Sequence, residues 1–403
     1  MSTVTDLNLL SERLKALSES ETLAMTKKAR ELADQGHNVI SLSVGEPDFQ
    51  TPQHIKDAAK KAIDDGFTFY TPVPGYPELR SGIAAKLNKE NGLNYTAENI
   101  VVSTGAKQSI ANVLLSIVDP GDEVIIFAPY WVSYIEMVKL AEGTSVIVNG
   151  TIDNDFKVSA EDVEAAITSK TKAILFSSPC NPSGTVFTKQ ELSAIAEVVA
   201  RHERIIVISD EIYEHINFEG SHFSIGSISS IQDRVVTVNG FSKGYAMTGW
   251  RVGYIGAPKW IAAACDKIQG QVTSGTCSIA QKAAVAAITG DLTAAKEMSA
   301  AYLRRRNLVV GLLKEIPGIK VNVPQGAFYS FPDISYYIGK SFNGTVINKA
   351  SDLAMFILNE GHVSSVGGDA FGAPNCIRIS FAASDENLVE AIKRIKACLA
   401  KLK

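Results

Sequence analysis

Three short runs of sequence decide the fold: KAILFSS (residues 172–178), RIIVISD (204–210) and RVVTVNG (234–240). Each run is rich in β-branched residues and apolar on both faces, which is typical of strands covered by helices on each side. Four further strands of this kind are predicted at residues 100–103, 123–129, 144–148 and 252–258. Segments of helical period separate the runs, so the sequence predicts an α/β fold around a mostly parallel, seven-stranded sheet.

The segments between the strands carry signals for helix starts. Thr188 is followed three residues later by Glu191, and Ser159 is followed by Asp162. This spacing is the capping box, in which the two side chains bind the free backbone N–H groups of a helix start. We therefore predict helices that begin after Ser159 and Thr188.

After residue 290 the regular alternation of apolar strands and helices ends. A long charged helix is predicted over residues 291–315, with the RRR run at 304–306 on a solvated face. Shorter strands are expected near IKVNV, GAFYSF and CIRISFA, and further helices near residues 350–360 and 384–401. This part of the chain reads as a smaller α+β unit.

These patterns predict three parts of the chain. A large domain covers residues 51–290, and a small α+β domain covers residues 291–403. The N-terminal segment, residues 1–50, contains the predicted strand VISLSV (39–44) and is expected to pack with the small domain. No linker-like stretch separates the parts, so we expect a broad interface between them.

Composition excludes several classes of protein. Lys and Arg number 39 against 43 Asp and Glu, a net charge of −4, which argues against a nucleic-acid binder. No apolar run approaches the roughly 20 residues that a membrane helix needs, so no membrane association is predicted. The five cysteines are widely spaced, without a CxxC pair, and the N-terminus lacks the pattern of a secretory signal. We expect a cytoplasmic protein.

Two common ligand motifs are missing, and a metal motif is weak. Neither the dinucleotide-binding G-x-G-x-x-G after a strand nor the phosphate-binding P-loop occurs. Glu211 and His215 lie four residues apart and could suggest a metal site, but this spacing is common on solvated helix faces. We predict no metal.

Several polar residues follow the apolar runs, where open α/β sheets bind ligands. Asp210 ends one strand, Lys243 follows another by three residues, and Asn181 and TGAKQ (104–108) follow two more. Read alone, such a lysine is most often a surface residue, and such a carboxylate is most often a helix cap. Together they suit pyridoxal phosphate, whose aldehyde needs a lysine amine and whose ring nitrogen needs a carboxylate.

The sequence also contains residues that could bind the phosphate of this cofactor. Gly105, Ala106 and Lys107 stand at a predicted helix start, where backbone N–H groups and the helix dipole favour an anion. Arg251, eight residues after Lys243, can form two parallel hydrogen bonds to phosphate oxygens.

At this point the sequence resembles the fold-type I, class I aminotransferases. The motifs VGEPDF, TGAKQ, PYWVSY, SSPCNPSG, SDEIYEH and FSKGYAMTGWR appear in family order. The likeness is greatest to the aspartate aminotransferase branch with N-G-x-x-K-x-x-A-M-T-G-W-R, and it covers the chain from about residue 10 to its end. It implies a fold-type I transferase that binds pyridoxal phosphate and acts as a homodimer.

The resemblance also implies roles around the cofactor. Tyr213 and Asn181 would bind its ring oxygen, and Trp131 would stack on its ring. Tyr70 would reach the phosphate bound by the partner subunit, so that two subunits share each active site. Tyr213 would act in catalysis together with Lys243 and Asp210.

Substrate roles follow in the same way. Arg378 in CIRISFA would hold the α-carboxylate, and Gly45 in VGEPDF would offer a backbone contact. Trp131, Asn181 and Lys107 would complete the substrate site. Lys107 would attract the distal carboxylate of an acidic substrate.

The sequence departs from the family at two places. Gly240 stands where many relatives place a hydroxyl that binds the phosphate, and Ser242 could take over this contact. The second arginine that many aspartate aminotransferases use for the distal carboxylate has no recognisable motif here. Ser20 and Thr22 lie where assisting hydroxyls are expected.

We therefore predict an aminotransferase with a ping-pong mechanism, acting on aspartate and 2-oxoglutarate or oxaloacetate. An aminotransferase for neutral or aromatic amino acids, or a C–S lyase of the same fold, is the alternative. A transcription regulator with an aminotransferase-like domain is disfavoured, because only about 40 residues precede VGEPDF, too few for a DNA-binding domain.

Overall fold

A computed structural model describes residues 9–403. Its helices are α1 (Glu12–Lys15), α2 (Glu21–Asp34), α3 (Gln53–Asp64), α4 (Pro77–Asn91), α5 (Ala106–Ile117), α6 (Ser133–Leu140), α7 (Ala160–Ala166), α8 (Lys189–Ala200), α9 (Lys259–Val272), α10 (Ser278–Thr289), α11 (Thr293–Lys314), α12 (Ala350–Gly361) and α13 (Asp385–Leu399). Its strands are β1 (Ile40–Ser41), β2 (Ile100–Ser103), β3 (Glu123–Ala128), β4 (Thr144–Asn149), β5 (Thr171–Ser177), β6 (Ile206–Asp210), β7 (Val235–Gly240), β8 (Gly253–Gly256), β9 (Tyr329–Ser330), β10 (Ser341–Phe342), β11 (Thr345–Val346), β12 (Val363–Ser364), β13 (Val366–Gly367) and β14 (Ile377–Ser380).

Seven strands form the central sheet, in the order β2-β8-β7-β6-β5-β3-β4. Only β8 is antiparallel to its neighbours, β2 and β7, and every other pair is parallel. The predicted α/β fold with a mostly parallel seven-stranded sheet is therefore confirmed. Since β8 lies between β2 and β7 and is antiparallel to both, β2 and β7 run in the same direction. The carboxyl ends of the six strands other than β8 therefore lie at one edge of the sheet.

The central strands are apolar on both faces because helices cover them. All five residues of β6 are buried, and so are all six of β7. The helices α7 and α8 begin with the predicted capping boxes, in which Ser159 accepts from the Asp162 N–H and Thr188 from the Glu191 N–H. These caps fix where the helices begin after the preceding loops.

A second group of strands follows the central sheet in the chain. The antiparallel sheet β13-β14-β9 and the pair β1-β12 pack with α11, α12 and α13 around one apolar core. β1 lies parallel to β12, with Ile40 opposite Val363, so this strand of the N-terminal segment pairs with the C-terminal part of the chain. The exact domain limits at residues 50 and 290 stay a prediction.

The expected strand at IKVNV (319–323) is wrong. Within this run only Lys320 bridges to another backbone segment, at Asp333. Pro317 and Gly318 precede the run and Pro324 follows it. Proline has no N–H to donate to a ladder, so Pro324 cannot extend the pairing beyond the run, and the backbone makes a single bridge here instead of a strand.

The expectation of a solvated RRR face is wrong for Arg305. Its side chain is buried, and its guanidinium donates to Asp48 at 2.8 Å and to Asp385 at 3.3 Å. Arg305 follows Tyr302 by three residues and precedes Val309 by four, so it shares the buried face of α11. It thereby ties the N-terminal segment to α11 and α13.

In the part of the chain that the structure describes, every helix is too short or too polar to cross a membrane.

Candidate active site

The carboxyl edge of the central sheet carries most of the predicted site. Asp210 ends β6 and pairs in register with Ser177 of β5 and Val238 of β7. A cavity of about 490 Å³ opens above these strand ends. The predicted site residues that line it are Gly45, Ala106, Lys107, Trp131, Asn181, Asp210, Tyr213, Ser242, Lys243, Arg251 and Arg378.

Lys243 projects into this cavity from the loop after β7. Its Nζ donates to the Gly45 carbonyl at 2.5 Å and lies 5.7 Å from the centre of the Tyr213 ring. Burial lowers the pKa of Lys243 to about 8, and the nearby cations Arg378 and Arg251 act in the same direction. At neutral pH a useful fraction of this amine is therefore uncharged and nucleophilic.

Asp210 is a buried carboxylate with two hydrogen-bond donors. The Tyr134 hydroxyl donates to its Oδ2 at 2.6 Å, and the Ile212 N–H donates to its Oδ1 at 3.2 Å. Burial raises the pKa of Asp210 to about 6, although both donors oppose this rise. Tyr134 ends the PYWVSY motif, but the sequence pattern did not indicate that its hydroxyl would reach Asp210.

The start of α5 faces the same edge of the sheet. Gly105 has φ +84°, and a Cβ atom there would run into the Arg251 guanidinium, so only glycine fits. Arg251 donates from Nη1 to the Thr248 carbonyl at 2.9 Å. The first N–H groups of α5 and this guanidinium form a set of donors that suits a phosphate dianion.

Lys107 lies beside this anion site. Its Nζ stands 5.0 Å from the centre of the Trp131 ring. Partial burial, together with the neighbouring Arg251, lowers the pKa of Lys107. Ser20 and Thr22 from the N-terminal segment line the same cavity, as the sequence led us to expect.

The packing of β7 against β8 explains why position 240 is a glycine. A Cβ atom there would lie 2.9 Å from the Gly253 Cα atom and 3.0 Å from the Val252 carbonyl oxygen. This close approach of β7 and β8 leaves no room for the hydroxyl residue that relatives place here. Ser242, two residues further along, is buried and lines the cavity.

Arg378 is buried at the small-sheet side of the cavity. It donates from Nη1 to Asn181 Oδ1 at 3.0 Å and from Nη2 to the Ser43 carbonyl at 2.5 Å. Its guanidinium stacks on the Tyr329 ring, 4.6 Å from the centre. Among residues 9–403, no group accepts from its Nε. A buried guanidinium that is held in place and still has a donor to offer suits a carboxylate ligand.

A second tyrosine was missed by the sequence analysis. The hydroxyls of Tyr213 and Tyr329 lie 2.8 Å apart, and burial raises the pKa of Tyr213 well above its usual value. Tyr329 also lies against Gly45, where a Cβ atom would stand 2.5 Å from its hydroxyl oxygen. Tyr329 belongs to the GAFYSF run, which the sequence analysis used only as a strand.

Two predicted site residues do not line the cavity. Gly105 lies just behind it, at the N-terminal cap of α5. The Tyr70 side chain is 98% exposed and away from the cavity of its own chain. That position is compatible with a contact made to another subunit.

The Glu211 and His215 pair does not form the face of a helix, because residues 212–215 form a turn. Glu211 accepts hydrogen bonds from Asn91, Ser209, Ser224 and His222. The neighbouring carboxylate of Glu214 pairs with the buried ammonium of Lys86. The ammonium of Lys86 thus offsets the negative charge of Glu214.

Comparison with known proteins identifies the family. Residues 37–395 match the family described as aminotransferase class I and II. The chain belongs to this family. The aspartate/prephenate aminotransferase of Cereibacter sphaeroides (strain ATCC 17029 / ATH 2.4.9) is 48% identical to this aminotransferase over 396 residues, which cover 98% of this chain and 99% of that protein.

Solved structures of aminotransferases share the fold. The aspartate aminotransferase from Rhizobium meliloti superposes with a TM-score of 0.94 at 40% identity, covering 98% of this chain and 99% of that one. The aspartate aminotransferase from Thermus thermophilus with maleate superposes with a TM-score of 0.91 at 40% identity, covering 96% and 99%. The predicted fold-type I transferase is confirmed.

This aminotransferase depends on pyridoxal phosphate, as its family does. The cavity fits that cofactor on its own chemistry. It offers an amine of lowered pKa, a buried carboxylate with fixed donors, an aromatic ring, and a helix start beside an arginine. The Ser177 hydroxyl, buried in the cavity lining, has no hydrogen-bond partner among the described residues and leaves a further polar group for a ligand.

Proposed function

We propose that this aminotransferase moves an amino group between aspartate and 2-oxoglutarate in a ping-pong reaction. The observation that carries the proposal is that one cavity holds both Arg378 and Lys107. Lys243 and Arg251 also line this cavity but are assigned to the cofactor. Arg378 and Lys107 are therefore the two cations left for a substrate with two carboxylates. The aspartate aminotransferase names of its relatives support the same assignment.

The proposed cofactor contacts use the residues at the strand ends. Lys243 would hold the aldehyde carbon, Asp210 the ring nitrogen, and Trp131 the ring face. Asn181 and Tyr213 would bind the ring oxygen, and the phosphate would take the N–H groups of residues 105–107 with Ser242 and Arg251. When bound, pyridoxal phosphate supplies an electrophilic carbon for the amino group and a ring that withdraws electrons.

Lys243 then has a second task, proton transfer. The pKa of its amine, about 8, is close enough to neutral pH for the amine to accept a proton from the substrate Cα atom and to return it. The rings of Tyr213 and Phe328 lie 5.7 and 5.8 Å from its Nζ and help to exclude water around it. Such a base works best when its pKa lies near the working pH.

Arg378 orients the substrate in this scheme. Its Nη atoms are already fixed by Asn181 and by the Ser43 carbonyl, so the guanidinium does not need to reorganise when a carboxylate arrives. A carboxylate held by Arg378 keeps the substrate Cα atom in the cavity that Lys243 also lines.

Lys107 is proposed to select for the distal carboxylate. We expect Lys107→Ser to raise KM for aspartate about 5- to 30-fold while changing KM for alanine less than twofold, because only aspartate has a second carboxylate. A contact partly screened by water contributes about 1 to 2 kcal/mol. Steady-state kinetics with both donors check this expectation.

The matched control is Lys189→Ser. Lys189 also stands over an aromatic ring, that of Phe223, but lies outside the cavity. This variant should leave both KM values unchanged. Equal losses for aspartate and alanine in Lys107→Ser would remove the acidic-substrate assignment while leaving the aminotransferase assignment intact.

We further propose a homodimer with shared active sites. Phe69 and Tyr70 are 84% and 98% exposed in the single chain, which is unusual for two adjacent aromatic residues and suits a covered surface. Tyr70→Ala should weaken cofactor binding about tenfold, although Tyr70 is away from the cavity of its own chain. Equilibrium dialysis and the molar mass in solution test both statements.

Tyr336→Ala serves as the control, because Tyr336 is also an exposed aromatic residue, at 54%, and lies on the small unit. Its loss should not change cofactor affinity. A monomeric mass for the wild-type protein, or unchanged cofactor affinity in Tyr70→Ala, would contradict the shared site. The cytoplasmic location also stays a prediction, supported by the five free cysteines.

A coupled assay of the purified protein tests the function as a whole. A panel of amino donors is offered with and without 2-oxoglutarate, and aspartate should be the best donor. A preference for phenylalanine or alanine would point to the neutral or aromatic alternative. Product release without a second oxo acid would point to a lyase of the same fold.

Prephenate is a second candidate acceptor. The relative from Cereibacter sphaeroides is named an aspartate/prephenate aminotransferase. Prephenate is a 2-oxo acid with a second carboxylate, so Arg378 and Lys107 suit it as they suit the dicarboxylic substrates. Prephenate is therefore included in the assay as an acceptor with aspartate as donor.

A further inference from the structure

A buried tyrosine links two of the residues that are proposed to hold the cofactor. Tyr134 lies in the first turn of α6 and is 1% exposed. Its hydroxyl donates to Asp210 Oδ2 at 2.6 Å, and its ring meets the Trp131 ring edge to face, with centres 5.6 Å apart and planes at 88°.

The phenol is a dependable donor at this position. Burial, with the Asp210 charge beside it, raises the pKa of Tyr134 well above its usual value, so the hydroxyl keeps its proton throughout the working range. Among residues 9–403, Asp210 has one other hydrogen-bond donor, the Ile212 N–H. A buried carboxylate that loses one of two donors is harder to keep charged and freer to turn.

The ring of Tyr134 has a separate effect. Trp131 is only partly buried and needs a neighbour to fix the plane of its indole. An edge-to-face contact prefers one relative orientation of the two rings. Hydroxyl and ring together therefore set the angle between a carboxylate and an indole that come from different strand ends.

We propose that Tyr134 is a positioning residue, which orients the Asp210 carboxylate and the Trp131 ring around the pyridine ring of the cofactor. The inference rests on the proposed roles of Asp210 and Trp131. Tyr134 itself takes up no proton in the reaction and acts through its two neighbours.

Tyr134→Phe tests the hydroxyl, because phenylalanine keeps the ring that packs on Trp131. In the holoenzyme we expect cofactor to dissociate with a constant about 10- to 100-fold higher, as is typical when a charged group loses a hydrogen bond. We expect kcat to fall by a similar factor, with less than a threefold change in KM for aspartate. Equilibrium dialysis and steady-state kinetics give the two measurements.

A double-mutant cycle separates positioning from general damage. The same replacement is made in an Asp210→Asn background, where the hydroxyl has no charge to hold. There Tyr134→Phe should change cofactor affinity by less than threefold. Equal losses in both backgrounds, or unchanged affinity in the single variant, would overturn the proposal.

The pH dependence of cofactor affinity gives a second readout. Cofactor binding needs the ionised carboxylate, so its acid limb should lie at higher pH in Tyr134→Phe than in the wild type. The other ionisable groups that face Asp210 are Glu211, Lys243, Tyr213 and Cys180, and all are unchanged in this variant. An acid limb at the wild-type position would also overturn the proposal.

Tyr254→Phe is the matched control. Tyr254 is a tyrosine on β8, 2% exposed and outside the cavity, and its loss should leave cofactor affinity unchanged. Thermal unfolding of both variants shows whether Tyr134→Phe folds as well as the control does. If the wild-type protein binds cofactor but does not use aspartate, the proposed substrate is wrong. The double-mutant cycle still decides the role of Tyr134 in that case, because it measures only cofactor affinity.

Discussion

Lys243→Ala is expected to lower kcat at least about a thousandfold, the largest effect that we predict for one side chain. The replacement removes both the amine that attaches the cofactor and the base that moves the Cα proton. A positioned acid or base alone contributes about 10² to 10⁴ in rate, and covalent attachment adds to this. Purified variant and wild-type protein are compared in the coupled assay.

The chemistry of Lys243 can also be tested in the wild-type protein. Borohydride treatment followed by peptide mapping should find the reduced cofactor on Lys243. The amine must be neutral to attack, so attachment to the apoprotein should speed up as pH rises and level off above about 8, the pKa that burial gives this group. An ordinary lysine would level off only near pH 10.5.

Lys259→Ala is the control for lost positive charge, because Lys259 is exposed and pairs with the exposed side chain of Glu98. It should keep wild-type kcat. Reduced cofactor on another lysine, or a Lys243→Ala variant with more than a hundredth of wild-type kcat, would show that the assignment of Lys243 is wrong.

The part of the site that the sequence predicted comes from chain order and strand pattern. Lys243, Asp210 and Asn181 each follow an apolar run, and parallel strands bring the ends of such runs to one edge. The positions of these residues therefore followed from the fold class before any side-chain contact was known. The limits of the seven central strands agreed within one or two residues, because a buried strand has a clear apolar pattern.

The contacts that the sequence could not predict join distant parts of the chain. Tyr134 and Asp210 lie 76 residues apart, and Tyr213 and Tyr329 lie 116 apart. An aromatic residue at a helix start or in a strand reads as ordinary core, because local pattern does not show where its hydroxyl points. The buried ion pairs of Arg305 were missed for the same reason.

Burial of Asp210 serves function at a cost in stability. In the unfolded chain an aspartate titrates near 3.8, whereas burial raises the pKa of Asp210 to about 6. A group with a raised folded-state pKa stabilises the fold below its unfolded pKa and loses that contribution as pH rises through the folded value. A shift of about 2 pH units corresponds to about 3 kcal/mol, which apoprotein loses between about pH 4 and pH 6.

Asp210→Ala should lower the catalytic rate and remove the loss of stability that the buried carboxylate causes. We expect kcat to fall at least about a hundredfold, because the protonated ring nitrogen loses the charge that stabilises the carbanionic transition state. Lys243 should still attach the cofactor. The free energy of unfolding of the apoprotein, relative to wild type, should shift in favour of the variant as pH rises from about 4 to about 7.

The control for this last prediction is Asp233→Ala, since the Asp233 side chain is 79% exposed. It should match the wild type in kcat and in the pH dependence of unfolding. An Asp210→Ala variant that kept more than about a tenth of wild-type kcat would have lost less than about 1.4 kcal/mol of transition-state stabilisation, too little for a carboxylate that faces the ring nitrogen. In that case another group would have to keep the nitrogen protonated, and Asp210 would be a structural residue whose burial brings only the loss of stability.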